Sequence, residues 1–326
     1  MFEFKMPSLG ADMDKGRLIE WKVKPGDHVK RGQIVAIVET PKAAVDVEIF
    51  EDGIVERLLV DPQTEMAVGA PMALLRATNE TAVTAIPQVA EHPHLSHRAR
   101  KLAHQAASET TLRVSDNREA MRAVIAAAMS RSKREIPHYY LGNEVDLKPS
   151  LDWLSEENAK RPMEDRIIYA VLLLKAVAKA VASVPEVNGF WLDGRFQASQ
   201  AVNVGVAISL RQGGLVAPAI HDVDKKDLGL LMRELNDLVL RARSGSLRSS
   251  EFSDATITVT NLGEQGVDSV FGVIYPPQVA IVGFGKISAR QTVQTTLAGD
   301  HRASDGHRGG LFLVKIAQLL QHPENL

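Results

Sequence analysis

The first 77 residues contain short apolar runs that recur at regular intervals, and this pattern most strongly limits how the chain can fold. Turn-forming residues separate the runs, as they do between the β-strands of small all-β domains. The five runs are residues 18–23, 34–38, 45–49, 54–60 and 72–75. The pattern predicts a small all-β domain over residues 1–77.

The same region repeats weakly within itself. Residues 26–32, which read Gly-Asp-His-Val-Lys-Arg-Gly, are echoed by residues 64–69, which read Thr-Glu-Met-Ala-Val-Gly. Two similar halves predict a flattened barrel with a pseudo-twofold axis.

A lysine lies between the two halves. Strand-forming residues on both sides and the proline at position 41 predict that Lys42 lies at the tip of a tight hairpin, with its ammonium group in solvent. Most lysines are exposed on protein surfaces for no special reason. The local pattern is therefore compatible with a carrier lysine and with an ordinary surface lysine.

A set of short motifs resembles the lipoyl domain of 2-oxo acid dehydrogenase complexes. The matching positions are residues 6–10, Trp21, residues 25–27, Gly32 and residues 39–43. This resemblance implies that lipoate is attached covalently to Lys42. The related biotinyl domains carry methionine on both sides of the lysine, whereas here Pro41 and Ala43 flank it, so lipoate is favoured over biotin. Pro41 also stands where the family most often has aspartate.

Residues 78–117 lose the regular apolar pattern and are rich in Ala, Thr, Pro, Glu and His, which predicts a flexible linker. Residues 94–104 form a candidate basic helix. They resemble the first helix of the peripheral-subunit-binding domain, which in this family docks the 2-oxo acid decarboxylase or the dihydrolipoyl dehydrogenase. The second helix is missing, and a single helix cannot bury a core. We therefore expect a remnant of that domain.

From residue 118 to 326 the chain alternates helical and strand-like patterns, which predicts a mixed α/β domain. The predicted helices are residues 121–129, 166–183, 227–243 and 311–320, and the predicted strands are residues 204–210, 255–260 and 279–282.

Residues 300–306 contain a candidate base in a turn-forming setting. His301 precedes Asp305 by four residues, and an imidazole titrates near neutral pH, where it can accept a proton. Asp305 either orients His301, as in a catalytic triad, or forms a structural ion pair with an arginine. His138 follows Pro137 at the start of a strand, where packing or lining of a channel is the expected role.

Six motifs, in order along the chain, resemble the catalytic domain of the dihydrolipoyl acyltransferase subunit, of the pyruvate dehydrogenase type. They are residues 132–139, 202–207, 214–218, 258–263, 276–281 and 300–306. The resemblance implies a fold like that of chloramphenicol acetyltransferase, assembly as trimers, and active sites between subunits. It implies that His301 is the base, that the hydroxyl of Thr260 stabilises the oxyanion, and that Asp305 forms the ion pair.

One departure concerns the stretch before the candidate base. Residues 288–299 are fewer than the family's usual hairpin plus strand, so we expect the hairpin to be shortened or missing. Such a loss favours an alternative function, in which the chain is a catalytically weak or inactive scaffold of the same family. A third hypothesis is a coenzyme A-dependent acyltransferase that acts on a free small molecule.

The sequence as a whole favours an enzyme that transfers an acyl group, expected to be acetyl, between lipoyl-Lys42 and coenzyme A. The net charge of −2 and a pI near 6.6 give no electrostatic reason to expect binding to nucleic acid or to an anionic membrane. The absence of cysteine removes thiolate metal sites and cysteine nucleophiles, and no metal is expected. The N-terminus lacks a secretory pattern, so the expected location is the cytoplasm. The expected partners are the decarboxylase, the dihydrolipoyl dehydrogenase and further copies of the chain.

Overall fold

The structure is a computed structural model, and it describes residues 1–7, 15–40, 44–76, 122–123, 125–210 and 214–326. Three predicted features lie outside these residues: the linker over residues 78–117, its basic segment 94–104, and Lys42.

The N-terminal domain consists of two four-stranded antiparallel sheets, in the orders β1-β8-β6-β3 and β5-β4-β2-β7. The strands are β1 (Phe2–Lys5), β2 (Lys15–Trp21), β3 (His28–Val29), β4 (Ile34–Glu39), β5 (Ala44–Glu48), β6 (Gly53–Leu58), β7 (Glu65–Ala67) and β8 (Pro71–Arg76). Apolar side chains from both sheets form one buried cluster. The all-β prediction is confirmed, and each of the five apolar runs overlaps one strand.

The internal repeat has a structural counterpart in two turns. Gly32 and Gly69, which end the two copies, both have positive φ, at +82° and +84°. Glycine adopts this region without the steric cost that a Cβ imposes. Three residues before each glycine, Val29 and Met66 point into the core. The two halves therefore use the same turn and the same buried position.

The C-terminal domain is built on a six-stranded mixed sheet in the order β15-β12-β16-β17-β18-β9. The strands of this part are β9 (His138–Asp146), β10 (Gly189–Leu192), β11 (Arg195–Ala198), β12 (Val204–Val206), β13 (Ile208–Ser209), β14 (Leu215–Val216), β15 (Ala219–Ile220), β16 (Ile257–Asn261), β17 (Ala280–Ile287) and β18 (Thr292–Asp300). Strands β12, β16 and β17 are parallel, whereas β18 and β9 are antiparallel to their neighbours. The predicted α/β class is confirmed.

The helices of this domain contribute apolar faces to one large core. They are α1 (125–135), α2 (Lys148–Ala159), α3 (Tyr169–Ala180), α4 (Leu228–Ser244), α5 (Ser249–Ser253) and α6 (Gly306–Gln321). Short 3₁₀ turns lie at Met163–Asp165, Val181–Ser183, Pro185–Val187, Gly263–Gln265 and Pro323–Asn325. Within the described ranges, no helix combines the length and the hydropathy needed to cross a bilayer.

Helix α4 shows how the sequence sets the bounds of an element. The side chain of Asp227 caps its first turn by accepting a backbone hydrogen bond at 2.8 Å. Leu231, Leu235 and Leu238 lie on one face and are buried. Gly245 ends the helix in the left-handed conformation, with φ of +75°. The prediction of an amphipathic helix over residues 227–243 is confirmed to within one residue at each end.

The hairpin before the candidate base is present, so the expectation that it is missing is wrong. Strands β17 and β18 pair in antiparallel fashion along most of their length, and only residues 288–291 connect them. The hydroxyl of Ser288 closes this turn by accepting hydrogen bonds from the amides of Arg290 and Thr292, both at 3.2 Å. The segment is short because its turn is tight. Strand β18 therefore runs directly into the loop of His301.

Candidate active site

The loop between β18 and α6 carries His301 and is shaped by a buried ion pair. Asp300 has no exposed surface, and its carboxylate accepts hydrogen bonds from the guanidinium group of Arg302 at 2.7 to 3.1 Å and from its amide at 2.9 Å. The same guanidinium lies over the ring of Trp191, with its carbon 4.6 Å from the ring centroid. The residues on either side of His301 therefore fix the path of the loop.

His301 itself is exposed on the surface of this chain. Its amide donates to the carbonyl oxygen of Pro137 at 3.0 Å. Its ring meets the ring of Tyr139 edge to face, with centroids 5.5 Å apart and an interplanar angle of 73°. Among the described residues, none hydrogen-bonds to either ring nitrogen. The imidazole is therefore oriented by packing while its nitrogens remain available to a substrate.

Tyr139 supports His301, and this role was missed in reasoning from the sequence. Its hydroxyl shares a hydrogen bond with Ser304 at 2.8 Å. A Cβ on Gly299 would lie 2.4 Å from the tyrosine ring, and one on Gly309 would lie 2.7 Å from the hydroxyl. Burial raises the pKa of the phenol, so it stays protonated. In the sequence, the two glycines that flank the loop could have indicated that a large side chain packs against it.

Asp305 caps helix α6. Its carboxylate accepts a hydrogen bond from the amide of Arg308 at 2.9 Å, and backbone hydrogen bonding of this kind holds its pKa below the usual range. The guanidinium of Arg308 turns away and pairs with Glu186 at 2.8 Å. The arginine ion pair expected for Asp305 is formed by Asp300 instead, because the strand register turns the Asp300 side chain inward. Across the described ranges, no hydrogen bond joins Asp305 to His301.

His138 is occupied on both sides of its ring. Its Nδ1 donates to the carbonyl oxygen of Ile136 at 2.9 Å, and its Nε2 accepts from the amide of Ile274 at 3.2 Å. This pair of contacts requires the neutral tautomer. Burial also lowers the pKa of the ring. The arrangement agrees with the packing role predicted for His138.

Thr260 lies in β16, two strands away from the strand β18 that leads into His301, and is 9% exposed. It borders a cavity of about 320 Å³ between the sheet and helices α3 and α4. Apolar and polar groups contribute about equally to the wall. Residues that contribute to it are Leu173, Leu235, Phe284, Asn236, Arg243 and Gln265. A concave site of this volume, with convergent polar groups, could hold a small molecule.

The turn after Thr260 is fixed by its own sequence. The side chain of Asn261 accepts a hydrogen bond from the amide of Gly263 at 2.9 Å. A Cβ on Gly263 would lie 2.7 Å from the carbonyl oxygen of Gly285. The Asn-Leu-Gly sequence therefore closes the strand tightly and holds the end of β16 beside the cavity.

Two family models match this chain. The family model described as 2-oxoacid dehydrogenases acyltransferase (catalytic domain) matches residues 84–326, and the model described as biotin-requiring enzyme matches residues 2–75. The chain belongs to the 2-oxoacid dehydrogenase acyltransferase family. The resemblance stated from its motifs is confirmed.

Relatives of this acyltransferase align over nearly their whole length. The dihydrolipoyllysine-residue acetyltransferase component of the pyruvate dehydrogenase complex from Zymomonas mobilis is 27% identical over 433 residues, covering 98% of this chain and 98% of the relative. Its counterpart from Rickettsia typhi is 26% identical, with 98% and 97% covered.

Solved structures match more than half of this acyltransferase. The crystal structure of a probable dihydrolipoamide acetyltransferase from Listeria monocytogenes has a TM-score of 0.59 and 29% identity, covering 62% of this chain and 91% of that chain. A dihydrolipoamide acetyltransferase from Azotobacter vinelandii has a TM-score of 0.60 and 25% identity, covering 63% and 90%.

The acyltransferase places its two candidate catalytic side chains far apart within one chain. Thr260 pairs with Gly283, which pairs with Thr296, five residues before His301. Two strand spacings and five residue rises separate the Cα atoms of Thr260 and His301 by roughly 19 Å. A single chain therefore does not bring both side chains to one reacting atom.

The N-terminal domain of the acyltransferase has the frame that a carrier lysine needs. Strands β4 and β5 pair up to Glu39 opposite Ala44, and only four residues of the sequence, 40–43, separate these two positions. Among the described residues, no group of three His, Cys, Asp or Glu side chains is placed to hold a metal ion.

Proposed function

We propose that this acyltransferase moves an acetyl group between lipoate on Lys42 and coenzyme A, as a component of a pyruvate dehydrogenase complex. Residues 1–77 would be the carrier domain, residues 78–117 the linker and residues 118–326 the catalytic domain. The acetyl group follows the names of the relatives from Zymomonas mobilis and Rickettsia typhi. The observation that carries the proposal is His301, held by packing with both ring nitrogens available.

His301 has the chemistry of a general base for thioester exchange. A thiol has a pKa of about 8.5, so only a few per cent is thiolate at neutral pH. An imidazole within hydrogen-bonding reach takes the proton as attack begins. Lipoate, when bound, supplies the dithiol that holds the acyl group as a thioester.

Thr260 has the chemistry of an oxyanion donor. Its hydroxyl lies at a cavity wall, where a hydrogen bond to the acyl oxygen stabilises the developing negative charge by about 3 kcal/mol. The solved structure from Azotobacter vinelandii concerns the roles of a serine, a histidine and an asparagine in its catalytic mechanism. That histidine precedes the asparagine by four residues, as His301 precedes Asp305 here. We assign Asp305 to holding the loop through the cap of α6.

We propose that the active sites form between subunits of a trimer. The separation of roughly 19 Å between Thr260 and His301 in one chain supports a site that combines side chains from two copies. A related solved structure is the cubic core of the pyruvate dehydrogenase multienzyme complex, which supports assembly of trimers into a larger shell. Leu320 is fully buried within its own chain, whereas Leu311 and Val314 of α6 are exposed and available for such contacts.

The partners proposed for this component are the 2-oxo acid decarboxylase and the dihydrolipoyl dehydrogenase. The scaffold alternative loses one of its supports, because the β17–β18 hairpin is complete.

The test is acyl transfer from acetyl- and succinyl-coenzyme A to free dihydrolipoamide. His301→Ala should lower the rate by a factor on the order of 10² to 10⁴, the usual contribution of a general base. His307→Ala is the matched control, since His307 lies exposed in the first turn of α6, and this variant should retain the rate. An absence of transfer by the folded, trimeric wild-type protein with both donors would sink the catalytic proposal.

A further inference from the structure

The two domains touch along one edge of the N-terminal domain. Strand β5 is the outer strand of its sheet, so its outer edge is free to pair. The amide of Asp46 donates to the carbonyl oxygen of Leu247 at 3.2 Å, and Asp46 forms a parallel β-bridge with Arg248. The edge of β5 therefore continues into the segment just before helix α5.

Glu48 shows that this contact is specific. Val45 and Val47 of β5 face the core of the N-terminal domain, so the alternating side chains of Asp46 and Glu48 face outward. Glu48 is nevertheless only 6% exposed, because the C-terminal domain covers it. A buried carboxylate is costly unless donors surround it.

Those donors come from the other domain. The hydroxyl of Ser250 donates to the carboxylate of Glu48 at 2.7 Å, and the guanidinium of Arg248 lies 3.8 Å away. The hydroxyl of Ser249 accepts a hydrogen bond from the backbone amide of Glu48 at 3.3 Å. Phe252 packs against the apolar cores of both domains. The contact thus combines backbone pairing, a charge pair and one shared apolar side chain.

The receiving surface is held in shape independently of β5. Glu251 is buried, and its carboxylate accepts hydrogen bonds from the guanidinium of Arg241 at 2.5 Å and from the amide of Arg248 at 2.8 Å. Arg241 belongs to helix α4, so the segment of residues 246–253 is fixed to the body of the C-terminal domain.

The direction of pairing places the carrier end of β5 toward the cavity. Because the bridge is parallel, the N-terminal end of β5 at Ala44 lies toward residue 246, at the end of helix α4. Arg243, in the last turn of that helix, lines the cavity that also includes Thr260. Lys42 precedes β5 by two residues in the sequence.

We propose that the outer edge of β5 and residues 246–253 form a docking site that holds the N-terminal domain on its own C-terminal domain. In this position the hairpin end of β5 faces the Thr260 cavity. The inference rests on the proposed function for the role of Lys42, but the docking itself does not. The contact is largely polar, which suits repeated release, and attachment within one chain raises the effective concentration of the docked domain.

Disulfide trapping tests the docking directly, because the natural chain contains no cysteine. Neighbouring strands lie about 4.8 Å apart, within the Cα separation of about 4.4 to 6.8 Å that a disulfide accepts. The full-length double variant Asp46→Cys, Arg248→Cys should close an intramolecular disulfide under mild oxidation. The matched control is Glu56→Cys, Arg248→Cys, whose first cysteine lies in β6 of the other sheet. Both carry Lys42→Arg so that no lipoyl thiol takes part.

Non-reducing electrophoresis and peptide mass spectrometry separate the outcomes. A disulfide within one chain, formed at least tenfold faster by the Asp46 variant than by the control, is the expected result. Equal rates for both variants, disulfide-linked dimers only, or no disulfide in either variant would each overturn docking on the same chain.

A charge-swap experiment connects the docking to acyl transfer. For the lipoylated chain, the measured quantity is the rate of acetylation of its own lipoyl domain by acetyl-coenzyme A, divided by the rate with free dihydrolipoamide. Arg248→Glu should lower this ratio roughly three- to tenfold, and adding Glu48→Arg should restore it. An unchanged ratio would overturn the proposed role of the docking site. Loss of transfer to free dihydrolipoamide in the wild-type chain would instead count against the proposed function.

Discussion

The two strands that carry the candidate catalytic side chains differ in how complete their surroundings are. Thr260 lies at the buried end of β16, beside a cavity lined by its own chain. His301 follows β18, on an exposed loop next to the edge strand β9. One chain therefore encloses the proposed oxyanion donor and leaves the proposed base on its surface. This difference supports the proposal that a second copy completes each site.

Removing the hydroxyl of Thr260 tests the enclosed part of the proposed active site. Thr260→Val keeps the shape of the side chain and removes the donor, so transfer to free dihydrolipoamide should fall by a factor on the order of 10². Steady-state rates should show the loss in kcat more than in KM, because the hydrogen bond strengthens as charge develops. Thr258→Val alters the neighbouring threonine of β16, whose hydroxyl donates to Gln278, and serves as a control for strand packing. A wild-type rate for Thr260→Val would remove Thr260 from the mechanism.

Mixing two inactive variants tests whether the Thr260 and the His301 of one active site come from different chains. His301→Ala and Thr260→Val chains, unfolded together at equal amounts and refolded into mixed trimers, should regain about a quarter of the wild-type rate, because one site in four then receives both intact side chains from neighbouring copies. Each variant refolded alone provides the baseline. Failure of the mixture to exceed that baseline would indicate that both side chains of a site come from one chain.

The position of His301 should depend on the contacts that hold its loop. Trp191→Ala removes the ring beneath the guanidinium of Arg302, a contact worth about 1 kcal/mol at a partly exposed site. The rate of transfer should fall severalfold, and Trp191→Phe, which keeps a ring, should recover most of it. If Trp191→Ala and Trp191→Phe are equally impaired, the ring does not act through Arg302.

The contributions to stability near Thr260 and near His301 should also differ in their dependence on pH. The Nε2 of His221 donates to the carboxylate of Asp254 at 3.0 Å, close to the start of β16, and this hydrogen bond raises the pKa of His221. A raised folded-state pKa gives stability that is present below about pH 6.5 and is lost as the pH rises through the folded value. Because both side chains are more than a third exposed, the effect should be only about 0.5 kcal/mol.

Thermal unfolding at pH 6 and pH 8 measures this effect. Asp254→Asn should flatten the change between the two values, whereas Trp191→Ala should leave it in place, since the Arg302 guanidinium on the His301 side stays charged throughout. An equal pH response in the wild type and in Asp254→Asn would assign the titration to another group.

Much of the fold could be predicted because burial leaves a periodic trace in the sequence. The apolar runs of the N-terminal domain and the leucine stripe of α4 are examples. Strand β18 was missed because its buried positions include Thr295 and Thr296, whose polar side chains hide the alternation. Local sequence also could not show which aspartate beside His301 turns inward. That depends on the register of β18 against β9, in which Asp300 lies opposite His138.

The candidate site was predictable only in part. His301 and Thr260 stand in motifs, so their identities follow from the sequence. Their separation does not, because it depends on the order of β16, β17 and β18 in the sheet. The support from Tyr139 likewise requires knowing that Gly299 and Gly309 lie against one ring.

The covered edge of β5 has a consequence for the solubility of the protein. An open strand edge presents unpaired amides and carbonyls and is a common starting point for aggregation between sheets. In this chain, the segment that contains Leu247 and Arg248 lies against that edge. In the docked position, each chain thus shields one open strand edge of its N-terminal domain from pairing with a neighbour's.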